Sequence, residues 1–283
     1  MPMALILSSY VAASRVGGGG QQYALAAFGI DPVLVPTVLF GRHPGKGPPG
    51  GGAVAADVFA SATEAALGQV ALHYADAAIT GYFASGDQVR TAAAAIDALR
   101  AATDRGAISG RLVVVVDPIM GDDEGGLYVK PEVAEAIAAE LLPRADWLTP
   151  NLWELERLTG VRAGDPASAA KAARRLPCPA LVTSVPCGDG EIGMVAVRDG
   201  RATLYAHPRR EGVPKGTGDL VTAVFTSWLA DGAEPFAAAE HAARAAAEAV
   251  EASVLWGSPE LPLVSLGPRL VTPTASVRVE EIV

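Results

Sequence analysis

The sequence predicts an α/β fold, with a central, mostly parallel β-sheet flanked by helices. Short β-branched apolar runs alternate with longer Ala-rich amphipathic runs along most of the chain, the rhythm of strand–helix units whose helices cover both faces of a sheet. One short run, Leu112–Val116, is apolar without interruption, as befits a strand buried on both faces. Half of the 283 residues are hydrophobic and 19% are charged, enough to build a sizeable core and too apolar for a disordered chain.

Strands are expected at Ala4–Leu7, Val33–Val38, Ala77–Thr80, Leu112–Asp117, Trp147–Thr149 and Ala180–Thr183. Between them the amphipathic runs predict helices at Gln21–Phe28, Ala53–Leu72, Gln88–Ala102, Pro131–Leu142, Leu152–Leu158 and Pro166–Leu176. Asp165-Pro166 reads as an N-cap followed by Pro at the first helical position, and Gly160 stands where a helix would end. A hairpin, Glu191–Val197 and Ala202–Ala206 around Asp199-Gly200, breaks the rhythm. Two long helices follow, Thr217–Ala230 and Pro235–Leu255. The Pro-rich tail from Ser258 ends in an alternating VRVEEI suited to a sheet edge. No interdomain linker or repeat is visible, so one domain spanning 1–283 is expected, its regular part about 4–256.

Several function classes drop out. Lys+Arg 22 against Asp+Glu 31 gives a net charge of −9, with no basic stripe for nucleic acid. No run of 18 apolar residues is present to cross a membrane, and the apolar N-terminus lacks a basic leader, so the protein is expected to be cytoplasmic. Cys178 and Cys187 form no metal-ligand spacing and no disulfide framework, and His43, His73, His207 and His241 have no metal spacing. Gly17–Gly20 lacks the third glycine of a dinucleotide fingerprint. Gly41–Gly47 with Lys46 is one residue short of a phosphate loop and has Gly47 where Ser or Thr belongs. The surrounding Gly41–Gly52 is a glycine-rich loop of the kind that carries function or is disordered.

The chemistry concentrates in Lys215-Gly-Thr-Gly-Asp219, immediately ahead of an apolar helix. Gly216, Thr217 and Gly218 can turn backbone N–H groups toward an anion at a helix N-terminus, and Asp219 stands beside that cradle. This pairing suits a kinase acting on an alcohol, the carboxylate taking the hydroxyl proton while the cradle holds phosphoryl charge; a turn with a helix cap is the competing reading. Asn151 with Glu154 three residues on reads as a capping box or as a nucleotide or metal site. Asp117 in Asp117-Pro-Ile-Met-Gly-Asp122 and the Thr183-Ser184 pair end strands, where open parallel sheets bind ligands.

Taken together and in order, these segments resemble the pyridoxal (vitamin B6) kinase branch of the ribokinase-like superfamily, from about Leu5 to Ala230. Ile6–Val11 is similar to that family's first strand, TVLFGRH at Thr37–His43 to its pocket segment, and GYFAS at Gly81–Ser85 to its Gly-Tyr segment; DPIMGD, TPNLWELE, Thr183-Ser184 and GTGD follow in family order. The resemblance implies a three-layer sandwich and ATP-dependent phosphorylation of the 5′-hydroxymethyl group of pyridoxal or a related vitamer. It makes Asp219 the base and Gly216–Gly218 the anion hole. Ser9, Val38, Phe40, His43 and Tyr82 would line the vitamer pocket, while Asp117, Asp122, Asn151, Glu154, Thr183 and Ser184 would face Mg-ATP. Asp117, Asp122 and Glu154 would serve Mg²⁺, Thr149 a monovalent cation such as K⁺, and Arg209–Pro214, including Glu211 and Val213, would form the loop over adenine. A homodimer is implied by the family alone.

The chain also departs from the pattern. Pro44 and glycines replace the family's Thr and tyrosine stretch, Gly41-Arg42 its Ser-Asn, Tyr10 its His after the serine, and Gly18 its Asn. Hydroxymethylpyrimidine kinase, of the same fold, is the enzyme alternative; a non-catalytic sensor of a vitamer or nucleotide is the alternative from another class.

Overall fold

The computed structural model describes residues 2–71, 74–104 and 112–283. In chain order the elements are β1 (Met3–Val11), α1 (Gly17–Ala27), β2 (Asp31–Phe40), β3 (Gly51–Ala53), α2 (Ala56–Ala66), β4 (Ala75–Thr80), α3 (Gly86–Asp104), β5 (Val113–Val116), β6 (Gly121–Asp122), β7 (Gly126–Leu127), α4 (Pro131–Ala136), β8 (Trp147–Leu148), α5 (Leu152–Thr159), α6 (Pro166–Ala173), β9 (Ala180–Pro186), β10 (Glu191–Arg198), β11 (Arg201–Pro208), α7 (Thr217–Ala230), α8 (Pro235–Leu255), α9 (Leu263–Val271) and β12 (Arg278–Glu281).

Ten strands form one sheet in the order β12-β11-β10-β9-β8-β5-β4-β1-β2-β3. Its centre, β2-β1-β4-β5-β8-β9, is parallel throughout, and the outer strands on both sides run antiparallel. Side chains of the central strands alternate between two cores. Ala4, Ile6, Ile79, Val113 and Val115 pack under α1, α7, α8 and α9, whereas Leu5, Leu7, Ala78, Val114 and Val116 pack under α2 to α6. This two-sided burial explains the uninterrupted apolar run of β5. From β1 the chain steps first to β2 and later, on the other side, to β4. The switch opens a crevice beyond the carboxyl ends of these strands, where such sheets bind ligands.

The expected hairpin and both long helices have the expected limits to within a residue or two, and VRVEEI does pair with the sheet edge, through β12 on β11. Other boundaries moved. Helix α1 starts at Gly17 rather than Gln21: all four glycines are buried, and packing outweighs their poor helix propensity. Ala53 belongs to β3, an edge strand on β2, so the expected helix Ala53–Leu72 begins at Ala56; Leu72 and His73 lie outside the described residues. Residues Ile137–Leu141 form a wider π-helical turn after α4, which shortens the regular part of Pro131–Leu142. The tail holds one helix that the Pro-rich composition concealed. Leu263, Leu266 and Leu270, at helical spacing, bury one face of α9 despite Pro268.

Around the crevice one polar side chain ties three segments together. Gln88, fully buried near the start of α3, donates through Nε2 to the carbonyls of Thr37 (2.9 Å) and Val54 (2.8 Å) and accepts from Ala84 N–H (2.9 Å). The Thr37 hydroxyl in turn donates to the Tyr82 carbonyl at 2.7 Å. Replacing Gln88 with Ala strands these buried backbone groups without partners. Chemical denaturation of Gln88→Ala is expected to show a loss of about 2–4 kcal/mol, and a loss below about 0.5 kcal/mol would contradict this bracing role.

Candidate active site

Two walls face each other across the crevice. The first stands on β1, β2 and the segment after β4. Ser9 occupies a bulge in β1, where the register on β2 slips between Ser8 and Tyr10, and it is buried. Val38 is buried on β2, while Phe40 and Tyr82 are half-buried, and burial raises the Tyr82 pKa. His43 caps the short 3₁₀ turn Pro44–Lys46, its Nδ1 accepting from Gly45 N–H at 3.1 Å. Burial lowers the His43 pKa, so the ring is neutral, and because Nδ1 accepts a hydrogen bond the proton sits on Nε2. The charges acting on His43 include Glu260, Lys215, Lys46 and Asp122, which places it within reach of the opposite wall.

That opposite wall follows β5, β8 and β9 and meets the start of α7. Asp117, buried directly after β5, accepts from the Thr222 hydroxyl at 3.0 Å. Thr222 Oγ1 lies 2.8 Å from Thr149 Oγ1, and because Thr222 gives its proton to Asp117, Thr149 is the donor in that pair. The edge-on packing of Trp147 on Phe225, centroids 5.0 Å apart, presses β8 against α7 and holds this chain of hydroxyls in register. Thr222 lies one turn beyond Asp219 and was not singled out from the sequence, since a threonine inside an apolar helix carries no motif.

Of the two sequence readings of Asn151 and Glu154, the structure shows the cap. They form a reciprocal capping box at α5, Glu154 N–H donating to Asn151 Oδ1 and Asn151 N–H to Glu154 Oε2, each at 2.9 Å. Glu154 Oε1 also accepts from Met120 N–H (2.8 Å), and Asn151 Nδ2 donates to the Gly121 carbonyl (2.8 Å). The box therefore pins the turn that carries Asp122. Asp122 Oδ1 accepts from Gly125 N–H (2.6 Å), and its Oδ2 lies 3.4 Å from Lys215, which also pairs with Glu124 at 2.9 Å. Thr183 bridges to Asn151, and Ser184 bulges out of β9 with φ 61°, a strained value that turns it toward solvent. Glu211 is exposed and Val213 half-buried in the loop between β11 and α7. That loop borders a cavity of about 260 Å³ lined by His207, Arg210, Ala247, Val250, Glu251 and Ser276.

Between the walls sits Asp219, in the first turn of α7. Gly216 has φ 109°, and a Cβ there would lie 2.6 Å from the Arg15 carbonyl oxygen; only glycine permits this turn into the helix. The N–H of Gly17 points at the Asp219 carboxylate, and a side chain at Gly17 would collide with Ser9 Oγ. Asp219 Oδ1 is shut off from solvent and has no hydrogen-bond partner. Burial raises the Asp219 pKa to about 6, against the opposing pull of Gly17 N–H. Glu154 is raised to about 8, again chiefly by burial, with its backbone donors opposing. Asp117 rises through burial and the charges of Glu154 and Asp219. Tyr128, also unremarked in the sequence, is raised by burial and by the same carboxylates and keeps its hydroxyl proton among them.

A bound cation would relieve this crowding. Among the described residues no three His, Cys, Asp or Glu side chains converge as a ready-made metal site. Asp117 and Asp122 nonetheless fit a hard cation that draws its remaining ligands from phosphate and water. Also among the described residues, both cysteines are free and no helix is long and apolar enough to cross a membrane.

Comparison with known proteins places the whole chain beside one family. A family model described as phosphomethylpyrimidine kinase matches residues 75–263. A pyridoxine/pyridoxal/pyridoxamine kinase of Bordetella avium is 36% identical, covering 93% of this chain and 89% of its own. A pyridoxal kinase of Leifsonia xyli is 32% identical over 79% of each chain. Among solved structures, the pyridoxal kinase of Leishmania donovani in complex with ADP and pyridoxine superposes with a TM-score of 0.90 at 28% identity, covering 99% of both chains.

The raised Asp219 pKa has a consequence for stability. A carboxyl that binds its proton more tightly when folded contributes stability that is full below pH 4 and lost as pH rises through about 6. Asp219→Asn is therefore expected to melt a few degrees above the parent at pH 7.5, with the gain shrinking toward pH 4. Thermal melts across that range check it; a pH-independent difference would contradict the assignment.

Proposed function

This chain belongs to the pyridoxal kinase family of the ribokinase-like superfamily, and we propose that it transfers the γ-phosphoryl group of ATP to the 5′-hydroxymethyl oxygen of pyridoxal or a related B6 vitamer, giving the 5′-phosphate and ADP. The observation that carries the site assignment is the unpartnered, buried Oδ1 of Asp219 beside the Gly216–Gly218 turn. An acceptor hydroxyl placed there finds a desolvated base whose pKa lies just below neutral, which suits proton removal at cellular pH.

In this reading Asp219 accepts the hydroxyl proton as the oxygen bonds to the γ-phosphorus, and the bond from that phosphorus to the β–γ bridging oxygen breaks to release ADP. The N–H groups at the start of α7 face the charge that develops on the transferring group. Lys215, kept cationic by Glu124 and Asp122, adds positive charge beside the same turn. Asp117 and Asp122 would hold Mg²⁺, which supplies charge neutralisation on the phosphate oxygens. Glu154 acts mainly by fixing the turn that presents Asp122. Thr149, already donating to Thr222, keeps lone pairs for a monovalent cation such as K⁺. The nucleotide would run past Asn151, Thr183 and Ser184, with adenine in the cavity beside Arg209–Pro214. Ser9, Val38, Phe40 and Tyr82 would enclose the pyridine ring, with His43 Nε2–H as a donor to it. A cytoplasmic homodimer is the working form implied by the family.

The test is turnover with Mg-ATP on pyridoxal, pyridoxine, pyridoxamine and hydroxymethylpyrimidine, followed by ADP release and phosphorylated product. A B6 vitamer is expected to be preferred; turnover confined to hydroxymethylpyrimidine would move the chain to the other branch. Asp219→Asn is expected to retain ATP binding and lose turnover by ~10²–10⁴-fold. In the parent, activity should fall as pH drops through about 6, where Asp219 takes up a proton. Near-parental turnover in the Asn variant would remove Asp219 as the base.

A further inference from the structure

Glu260 lies in the segment between α8 and α9, distant in sequence from every residue assigned above. Its carboxylate nevertheless reaches three parts of the crevice. Oε2 accepts from the Ser14 hydroxyl at 2.7 Å and from Arg15 N–H at 3.0 Å, both in the turn that leads from Ser9 into α1. Oε1 pairs with the Lys46 ammonium, which also donates to the Pro259 carbonyl at 2.8 Å. The third reach is indirect: Arg15, held by its N–H, presents the carbonyl against which Gly216 is packed at the entry to the anion cradle. Lys46, so close in sequence to a phosphate loop, is thus already engaged by a carboxylate on the tail.

We propose that Glu260 is a positioning residue that latches the glycine-rich loop over the vitamer pocket and, through Ser14 and Arg15, fixes the backbone on which the catalytic turn rests. The proposal rests on the kinase reading above. Ordering matters most for the loop, because its glycines leave the backbone loose, and the latch is the tie that joins it to the tail. Lys46 and His43 share the same short turn, so the ion pair also sets where His43 stands at the pocket mouth. Closure of that mouth keeps water from competing with the vitamer for the phosphoryl group. Two kinds of contact meet at one carboxylate: a charged pair to the glycine-rich loop, and two neutral donors to the catalytic side. They are separable by mutation.

Lys46→Met removes the ion pair and the hydrogen bond to the Pro259 carbonyl, both ties from the loop to the tail, and keeps the aliphatic stem. It is expected to raise KM for pyridoxal by about fivefold, to leave KM for ATP and kcat unchanged, and to increase ATP hydrolysis without vitamer relative to transfer. Glu260→Gln keeps one acceptor oxygen for Ser14 and Arg15 and the Lys46–Pro259 hydrogen bond, and should shift KM for pyridoxal in the same direction as Lys46→Met by a smaller factor, with kcat unchanged. Glu260→Ala loses all three contacts and should lower kcat as well. Hydrogen exchange on the free protein gives a readout independent of activity: Lys46→Met is expected to speed exchange only in residues 41–52, Glu260→Ala also at Arg15 and around 216–219. The latch is overturned if KM, the hydrolysis-to-transfer ratio and exchange in 41–52 are all parental in Lys46→Met. Loss of the kinase reading is distinguishable, because the parent itself would then fail to turn over any vitamer while the exchange pattern still reports on the latch.

Discussion

The arrangement depends on keeping several carboxylates in a crevice that water scarcely enters. Asp117, Glu154 and Asp219 each pay desolvation, and their charges oppose one another. Folding alone would neutralise or expose them. They are held instead by donors that the fold supplies at fixed points: Thr222 for Asp117, the Met120 and Asn151 amides for Glu154, and the Gly17 amide for Asp219. The ends of β1, β5 and β8 and the starts of α1, α5 and α7 must therefore converge within hydrogen-bond reach. A parallel sheet with helices on both faces provides that convergence at the carboxyl edge of its strands. The site is in this sense an electrostatic tension, which a cation held by Asp117 and Asp122 would relax.

What could be read from the residues was local. GTGD ahead of an apolar helix reads as an anion cradle or as a turn with a cap, and either way its glycine announces the left-handed turn at Gly216 that leads into α7. The uninterrupted valines of β5, the Asp-Gly hairpin and the two long helices were legible for the same reason. The capping box is an instructive case: the sequence offered a cap or a ligand site, and the structure shows a cap whose Glu154 also reaches across to the Met120–Gly121 turn.

What stayed hidden was long-range. Thr222 looks like filler in an apolar helix until β8 and β5 lie beside it, 105 residues away from Asp117 in sequence. Gln88 stands in the sequence only as the first residue of an expected helix, yet it braces backbone from three segments. Helix α1 was placed too late because propensity disfavours glycine, whereas close packing at Ser9 demands it. Tyr128 carries no motif, and the carboxylates that raise its pKa, Glu154 and Asp219 among them, lie far from it in sequence. The vitamer wall, likewise, came from resemblance to a family and from no pattern in composition or periodicity.

Ser14 and Glu260 are 246 residues apart, and the bond between them closes almost the longest loop the chain contains. During synthesis the first strand and its serine bulge emerge more than 246 residues ahead of the carboxylate that braces them. Contacts so remote in sequence make for slow folding, since their loop entropy is lost before anything local repays it. The strands of the sheet centre precede the tail in sequence, so the crevice acquires its final walls late. With the latch acting as proposed, competence to use ATP would come only with completion of the fold.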